Sequence, residues 1–258
     1  MKNTIIFDLD DTLYDLCWPF KMAVEKYYAK CTNNVEATRA LDLIEDIFLA
    51  SRRHSDEIFP KWTANQVTTD DMYAHRNMNA FKDFGIDITR EDALLIQRFY
   101  KEFQKKICLT DDVKRMLDEL KERGVKMGII SNGGGEHQMS KIYTLGLTEW
   151  IPEANILVSG DVGAAKPDPR IFDFARWKLK IKRDEAWFVG DTFENDIVGA
   201  GNAGWHSIWV NRRHNEMPVI EKEMNHTMNE SEPHPIIQPD YTVTSEGEMV
   251  ALILKQFR

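Results

Sequence analysis

Thr4-Ile5-Ile6-Phe7-Asp8-Leu9-Asp10-Asp11-Thr12 sets an unbroken apolar run directly against a cluster of carboxylates. A short apolar run without alternation suits a strand covered on both faces, as in a parallel sheet. Five later runs have the same character: Val125–Ser131, Asn155–Ser159, Ala186–Gly190, His206–Val210 and Asp240–Thr244. Helical patterns lie between them. Val113, Met116, Leu117 and Leu120 follow i, i+3, i+4, i+7 spacing, with Thr110 to Asp112 as capping oxygens and Gly124 placed to end the helix. A second helix follows Pro167 and Pro169 and buries Ile171, Phe172, Ala175 and Leu179. A third opens near Asn195 and closes near Gly204. This order predicts an α/β fold built on a doubly wound parallel sheet.

One segment breaks the alternation. Between Leu16 and Cys108 the apolar residues keep helical spacing: Phe20, Ala23, Val24, Tyr27, Tyr28; then Leu41, Ile44, Ile47, Phe48; then Ile96, Phe99, Tyr100, Phe103. The expected organisation is an α/β core from residues 1–15 and 109–258, with a helical bundle from 16–108 inserted after the first strand. Ser51-Arg52-Arg53-His54 through Trp62 reads as an interruption of the helical periodicity. Asn211–Pro239, polar and punctuated by Pro218, Pro233, Pro235 and Pro239, reads as a surface excursion or a partly disordered flap.

Composition narrows the function. The 258 residues carry a net charge of −9, which disfavours nucleic acid as a partner. The three cysteines lack metal-ligand spacing and are too few for a disulfide framework. No run approaches the ~20 apolar residues of a membrane span, and the N-terminus lacks a signal-peptide apolar region. A cytoplasmic globular protein, monomer or homodimer, acting on a small molecule is expected.

Four loops at successive strand ends carry the chemistry. Asp8 and Asp10, two apart where the first strand ends, repel each other unless a metal or a shared proton lies between them; alone they equally describe a solvated acidic turn. Ser131-Asn132-Gly133-Gly134-Gly135 offers a hydroxyl and unhindered amides to an anion, or forms an ordinary glycine turn. Lys166 precedes Pro167-Asp168-Pro169 and points inward or, as lysines usually do, to solvent. Gly190-Asp191-Thr192-Phe193-Glu194-Asn195-Asp196 adds two carboxylates, with N-capping as the plain alternative for Asn195 and Asp196.

As a set, Asp8-x-Asp10-x-Thr12, Ser131-Asn132, Lys166-Pro167 and Gly190-Asp191 with Asp196 resembles the haloacid dehalogenase-like hydrolases. The likeness runs from Asp8 to about Gly204, and the helical insert resembles that family's cap domain on its Rossmann-like core. The wording Ile130-Ser131-Asn132-Gly133, followed by Lys141 and Leu145-Gly146-Leu147, is similar to the branch of nucleotidases and sugar-phosphate phosphatases. The resemblance implies a Mg²⁺-dependent phosphatase of a small phosphorylated metabolite. Asp8 is then the nucleophile and Asp10 the acid–base group. Thr12 supports the nucleophile loop. Ser131, Asn132 and Lys166 hold the phosphoryl group. Asp8, the Asp10 carbonyl and Asp191 bind the metal, and Asp196 acts behind them.

A 2-haloacid dehalogenase needs no leaving-group acid, and Asp10 speaks against it. A phosphonate hydrolase would use a cap lysine, and neither Lys61 nor Lys82 matches that role. A phosphomutase shares the four loops. A non-catalytic binding protein would lack Asp8, Asp10 or Asp191, and all three are present. Arg52, Arg53 and His54 are the candidates for contact with the rest of the substrate.

Overall fold

The computed structural model describes residues 4–29, 34–182, 185–218 and 236–258. The chain forms two units, Leu16–Ile107 and the remainder, Met1–Asp15 with Cys108–Arg258.

After β1 (Thr4–Phe7), the inserted unit comprises α1 (Cys17–Tyr28), α2 (Asn34–Asp42), α3 (Ile44–Thr63), α4 (Thr69–Lys82) and α5 (Arg90–Gln104). α3 packs on α4 and α1 on α5. The starts of α4 and α5 are fixed by matching capping boxes. Thr68 accepts from the Asp71 amide and Thr89 from the Asp92 amide, while each aspartate returns a bond to its threonine's backbone. The Ser51–Trp62 stretch corrects the sequence expectation: α3 runs through it without a break. Ile47, Phe48, Ser51 and Ile58 are its buried face. Ser51 is the small polar member that hides the period, because its hydroxyl is satisfied by Asn77 Oδ1 at 3.1 Å.

The other unit continues with α6 (Asp111–Glu122), β2 (Lys126–Ser131), α7 (Gly135–Thr144), β3 (Ile156–Val158), α8 (Ser159–Val162), α9 (Pro169–Leu179), β4 (Ala186–Gly190), α10 (Gly199–Ala203), β5 (His206–Val210), β6 (Tyr241–Val243) and α11 (Glu246–Gln256). A π-helical turn, Phe193–Val198, leads into α10. All six expected strands form one parallel sheet in the order β3-β2-β1-β4-β5-β6. Ile5, Ile6 and Phe7 are fully buried, as a central strand requires. Side chains of successive strand residues leave on opposite faces. Ile6 and Phe188 join Phe172 of α9 and Trp205 in one core, with Phe172 edge-on to both rings at 5.4 and 5.5 Å. On the opposite face Trp187 stacks on His206 and meets Phe257 at the end of α11.

The chain crosses from β3 to β4 on the far side of β1, so β1 lies at the switch point of the sheet, where a crevice opens at the carboxyl ends of the strands. Phe7 registers with Ile129 and with Val189. That register brings the residues after all three strands to one edge. Of the polar stretch 211–239, residues 219–235 lie outside the described part. The Arg213 side chain is tucked in at the start of this stretch, and residues 214–218 are exposed, in keeping with a surface excursion. No helix among the described residues is long and apolar enough to cross a membrane.

Candidate active site

Asp8 leaves β1 with its amide bonded to the Val189 carbonyl at 2.8 Å, so backbone pairing with β4 fixes where its side chain starts. The carboxylate side chain is 9% exposed. Lys166 Nζ donates to Asp8 Oδ1 at 2.5 Å and lies 2.7 Å from Asp196 Oδ1. The Thr12 hydroxyl approaches Asp8 Oδ2 at 3.4 Å. Lys166 is held by its own backbone. Asn132 Nδ2 donates to the Lys166 carbonyl at 2.8 Å, and the Lys166 amide donates to Asn132 Oδ1 at 2.9 Å. The Asn132 side chain therefore ties the loop after β2 to the loop that carries the lysine.

Asp196 is placed by the turn after β4. The Thr192 amide donates to its Oδ2 at 2.9 Å. Gly190 makes the approach possible, because a Cβ there would come within 2.4 Å of the Asp196 carboxyl carbon. Asp191 is anchored from behind, where Trp209 Nε1 donates to its carbonyl at 2.7 Å. Carboxylate oxygens of Asp8, Asp191 and Asp196 lie within 4.8 Å of one another.

Two buried carboxylates, Asp8 and Asp196, thus meet a single buried ammonium, with the Asp191 carboxylate close to theirs. Burial, opposed by Lys166 and reinforced by the charge of Asp196, pushes the Asp8 carboxyl up to about 7. Burial would discharge Lys166, but Asp196 and Asp8 outweigh it and hold the ammonium above its ordinary value. The excess negative charge and the hard oxygen donors fit a small divalent cation such as Mg²⁺.

Asp10 stands apart from that cluster. Lys141 Nζ contacts both of its oxygens at 2.8 and 2.7 Å, Gln138 Nε2 donates to it at 2.9 Å, and the Tyr14 hydroxyl closes the set. Burial works against the charge, yet Lys141 and these donors hold the carboxyl down at about 2. Gln138 also donates to Ser131 Oγ at 2.5 Å and links the two loops. At the glycine loop, the Gly133 amide is taken by Ser159 Oγ at 2.9 Å.

Asp11 adopts a left-handed φ of 61°. Arg213, after β5, forks onto it, with Nε to Oδ2 at 3.0 Å and Nη2 to Oδ1 at 2.8 Å, and reaches Asp15 at 2.5 Å. In the helical unit, Arg53 pairs with Asp83 at 2.6 Å, and His54 sits between Glu57 and Asp83 at 2.8 Å from each. Arg52 lines a cavity between α3 and its neighbours.

The structure brings Asp8, Thr12, Lys166, Asp191 and Asp196 together, with Asp10, Ser131 and Asn132 on adjoining loops. Tyr14, Gln138 and Arg213 escaped the motif reading, and Lys141 entered it only as part of a family likeness, without a role. Gln138 and Lys141, three apart on a helix that follows the glycine loop, carried a signal: both share the face turned to the strand ends.

Residues 5–210 match the family model described as haloacid dehalogenase-like hydrolase. The chain is 29% identical to the glyceraldehyde 3-phosphate phosphatase of Methanopyrus kandleri over 82% of this chain and 85% of that one. It is 30% identical to the protein of the same name from Methanothermobacter thermautotrophicus, over 88% and 91%. The magnesium-bound hydrolase YfnB of Bacillus subtilis shares the fold, with a TM-score of 0.61, 20% identity and coverage of 97% and 98%. With the motif-bearing strands and loops inside the matched span, the chain belongs to the haloacid dehalogenase-like hydrolases.

Proposed function

We propose that this hydrolase is a Mg²⁺-dependent phosphatase of small phosphomonoesters that works through a phosphoryl group carried on Asp8. The observation that carries the reading is the convergence of the Asp8, Asp191 and Asp196 carboxylates, with buried Lys166 on Asp8 and Asp196, and a further carboxylate, Asp10, held separately two residues on from Asp8. A dehalogenase has no use for that second carboxylate. The names of the relatives, phosphatases of a triose phosphate, agree.

Asp8 attacks phosphorus and the ester oxygen departs. Water then cleaves the acyl phosphate and regenerates the carboxylate. Both steps set an anion against a dianion, and Lys166 offsets part of that charge. Mg²⁺, which the carboxylates of Asp8 and Asp191 and the Asp10 carbonyl would hold, would supply the remaining neutralisation. Asp196 keeps Lys166 aimed at Asp8. Ser131, through its hydroxyl, and the Asn132 amide receive phosphoryl oxygens. Asp10 is ionised as it stands, which readies it to take the proton of the attacking water. In the first step the proton for the departing oxygen comes through the Asp10–Lys141 pair.

The test is phosphate release from a panel of phosphorylated metabolites, triose phosphates, other sugar phosphates and nucleoside monophosphates among them, with Mg²⁺ and with chelator. The reading expects turnover of at least one ester that chelator abolishes. Release that persists in chelator removes the metal from it; no release from any ester, with Mg²⁺ bound, overturns it.

A further inference from the structure

Two histidines and a glutamate meet where α3 packs on α4. His54 and Glu57 stand three apart on α3, on one face of the helix, and His75 is on α4. One ligand atom from each, an imidazole nitrogen or a carboxylate oxygen, lies within 4.8 Å of the other two. The two imidazoles are nearly perpendicular, with ring centroids 6.1 Å apart. His54 is held from both sides. Its Nε2 meets Asp83 Oδ2, just past the end of α4, at 2.8 Å, and its Nδ1 meets Glu57 Oε2 at 2.8 Å. Arg53 adds its own cation to the same Asp83 oxygen at 2.6 Å.

With Nε2–H donated to Asp83, the Nδ1 lone pair of His54 faces the Glu57 carboxylate. Two acceptors 2.8 Å apart repel unless a cation lies between them. A proton needs only those two atoms. A metal ion uses a third, and His75 supplies it. Burial and the charge of His54 hold the His75 imidazole below its ordinary range, against Glu57, so the ring is neutral, the form in which it ligates. Its contact with Asn79 Nδ2, 3.2 Å from Nδ1, is long, and that amide already donates to the His75 carbonyl at 2.9 Å. A carboxylate behind a ligating imidazole, the place Asp83 takes behind His54, fixes the tautomer and aims the ring. Two nitrogens and one oxygen suit Zn²⁺ and its late first-row neighbours, whereas Mg²⁺ wants oxygen alone. Ligands about 2.0–2.1 Å from a tetrahedral ion stand about 3.3 Å apart. Small side-chain rotations open the 2.8 Å pair and draw His75 in to that spacing. Lys61, one turn beyond Glu57, opposes a cation here, but it is exposed and its stem is free to turn away.

We propose that His54, Glu57 and His75 form a metal site for a zinc-like divalent cation, with Asp83 orienting His54 and water completing the tetrahedron. The ion clips α3 to α4 and stabilises the helical unit. Its donors are chemically unlike the hard oxygens of Asp8 and Asp191, and the site does not depend on the phosphatase reading.

Equilibrium dialysis of the full chain against Zn²⁺ at neutral pH, with Mg²⁺ in excess, tests the site. Wild type should retain one Zn²⁺ per chain more than His75→Gln or Glu57→Gln. Near ten times Kd, Zn²⁺ should raise the wild-type thermal midpoint by about 3–6 °C, and both variants should lose that rise. Asp83→Asn should keep the site but weaken it about 10–100-fold, a change in zinc affinity that a packing role alone does not produce. Equal zinc content in wild type and both variants overturns the proposal. So does a wild-type zinc that excess Mg²⁺ displaces, since the imidazoles are then not its ligands. Should His75→Gln not fold, Glu57→Gln decides alone, because that side chain is half exposed and its replacement leaves the packing of α3 intact. Unchanged zinc affinity in Asp83→Asn overturns the orienting role given to Asp83.

Discussion

Replacing Arg213 with methionine removes the cation that Asp11 holds in the turn between Asp10 and Thr12. Both side chains of this pair are nearly sealed, at 6% and 7% exposure. The fork onto Asp11 satisfies both carboxylate oxygens, whereas Asp15 is 44% exposed and adds little. Breaking a buried pair by removing one partner costs about 3–5 kcal/mol, because the other charge stays buried without its counterion. At roughly 2–4 °C per kcal/mol for a chain of this length, the midpoint of thermal unfolding should fall by about 6–20 °C. Asp11 also sits at a positive φ that non-glycine residues adopt only when held there. Turnover should therefore fall together with stability, as the loop that aims Asp8 and Asp10 relaxes. Calorimetry and a steady-state assay on Arg213→Met read both. The double variant Arg213→Met with Asp11→Asn should recover most of the lost stability, since no uncompensated charge remains. A single variant as stable and active as wild type, or a double variant no better than the single, would refute the reasoning.

Asp8→Asn should abolish turnover, while Asp10→Asn should retain phosphorylation by esters with good leaving groups and lose about 10²–10⁴ in steady-state rate; trapping of the phospho-enzyme separates the two, and a wild-type rate in Asp8→Asn would move the nucleophile elsewhere. Gly190→Ala should fold with displaced Asp196 and Lys166 and lose on the order of 10² in kcat, because its Cβ needs the space of the Asp196 carboxylate; an unaffected kcat would show that Asp196 does not position the lysine. Lys141→Met should slow hydrolysis of alkyl phosphates at least ten-fold more than that of p-nitrophenyl phosphate, whose leaving group needs no proton; an equal effect on both would take Lys141 out of the proton path.

The sheet was legible because its strands are short, apolar and bounded by turn residues, and burial on both faces demands that composition. The strand-end loops were legible because their residue types sit where an open sheet binds ligands. Continuity of α3 was hidden by one buried serine and a run of basic residues, which mimic a break in period although the serine is satisfied by Asn77. The partners of Lys141 and Arg213 were hidden for another reason. Each cation meets a carboxylate more than a hundred residues away, and nothing local distinguishes such a lysine or arginine from one in solvent. Arg53 and His54, read in the sequence as candidates for contact with the rest of the substrate, sit against Asp83, with His54 also beside Glu57.

The register of the sheet governs the order in which this molecule can be made. Thr4 pairs with Lys126 on one side and with Ala186 on the other. The strand synthesised first therefore waits, solvent-exposed and apolar, until the whole helical insert and then most of the core have been translated. Contacts this distant in sequence slow folding and leave an aggregation-prone segment open in the meantime. A ribosome stalled before Gly190 would carry Asp8 with no Asp191 or Asp196 beside it, so catalytic competence arrives late in synthesis.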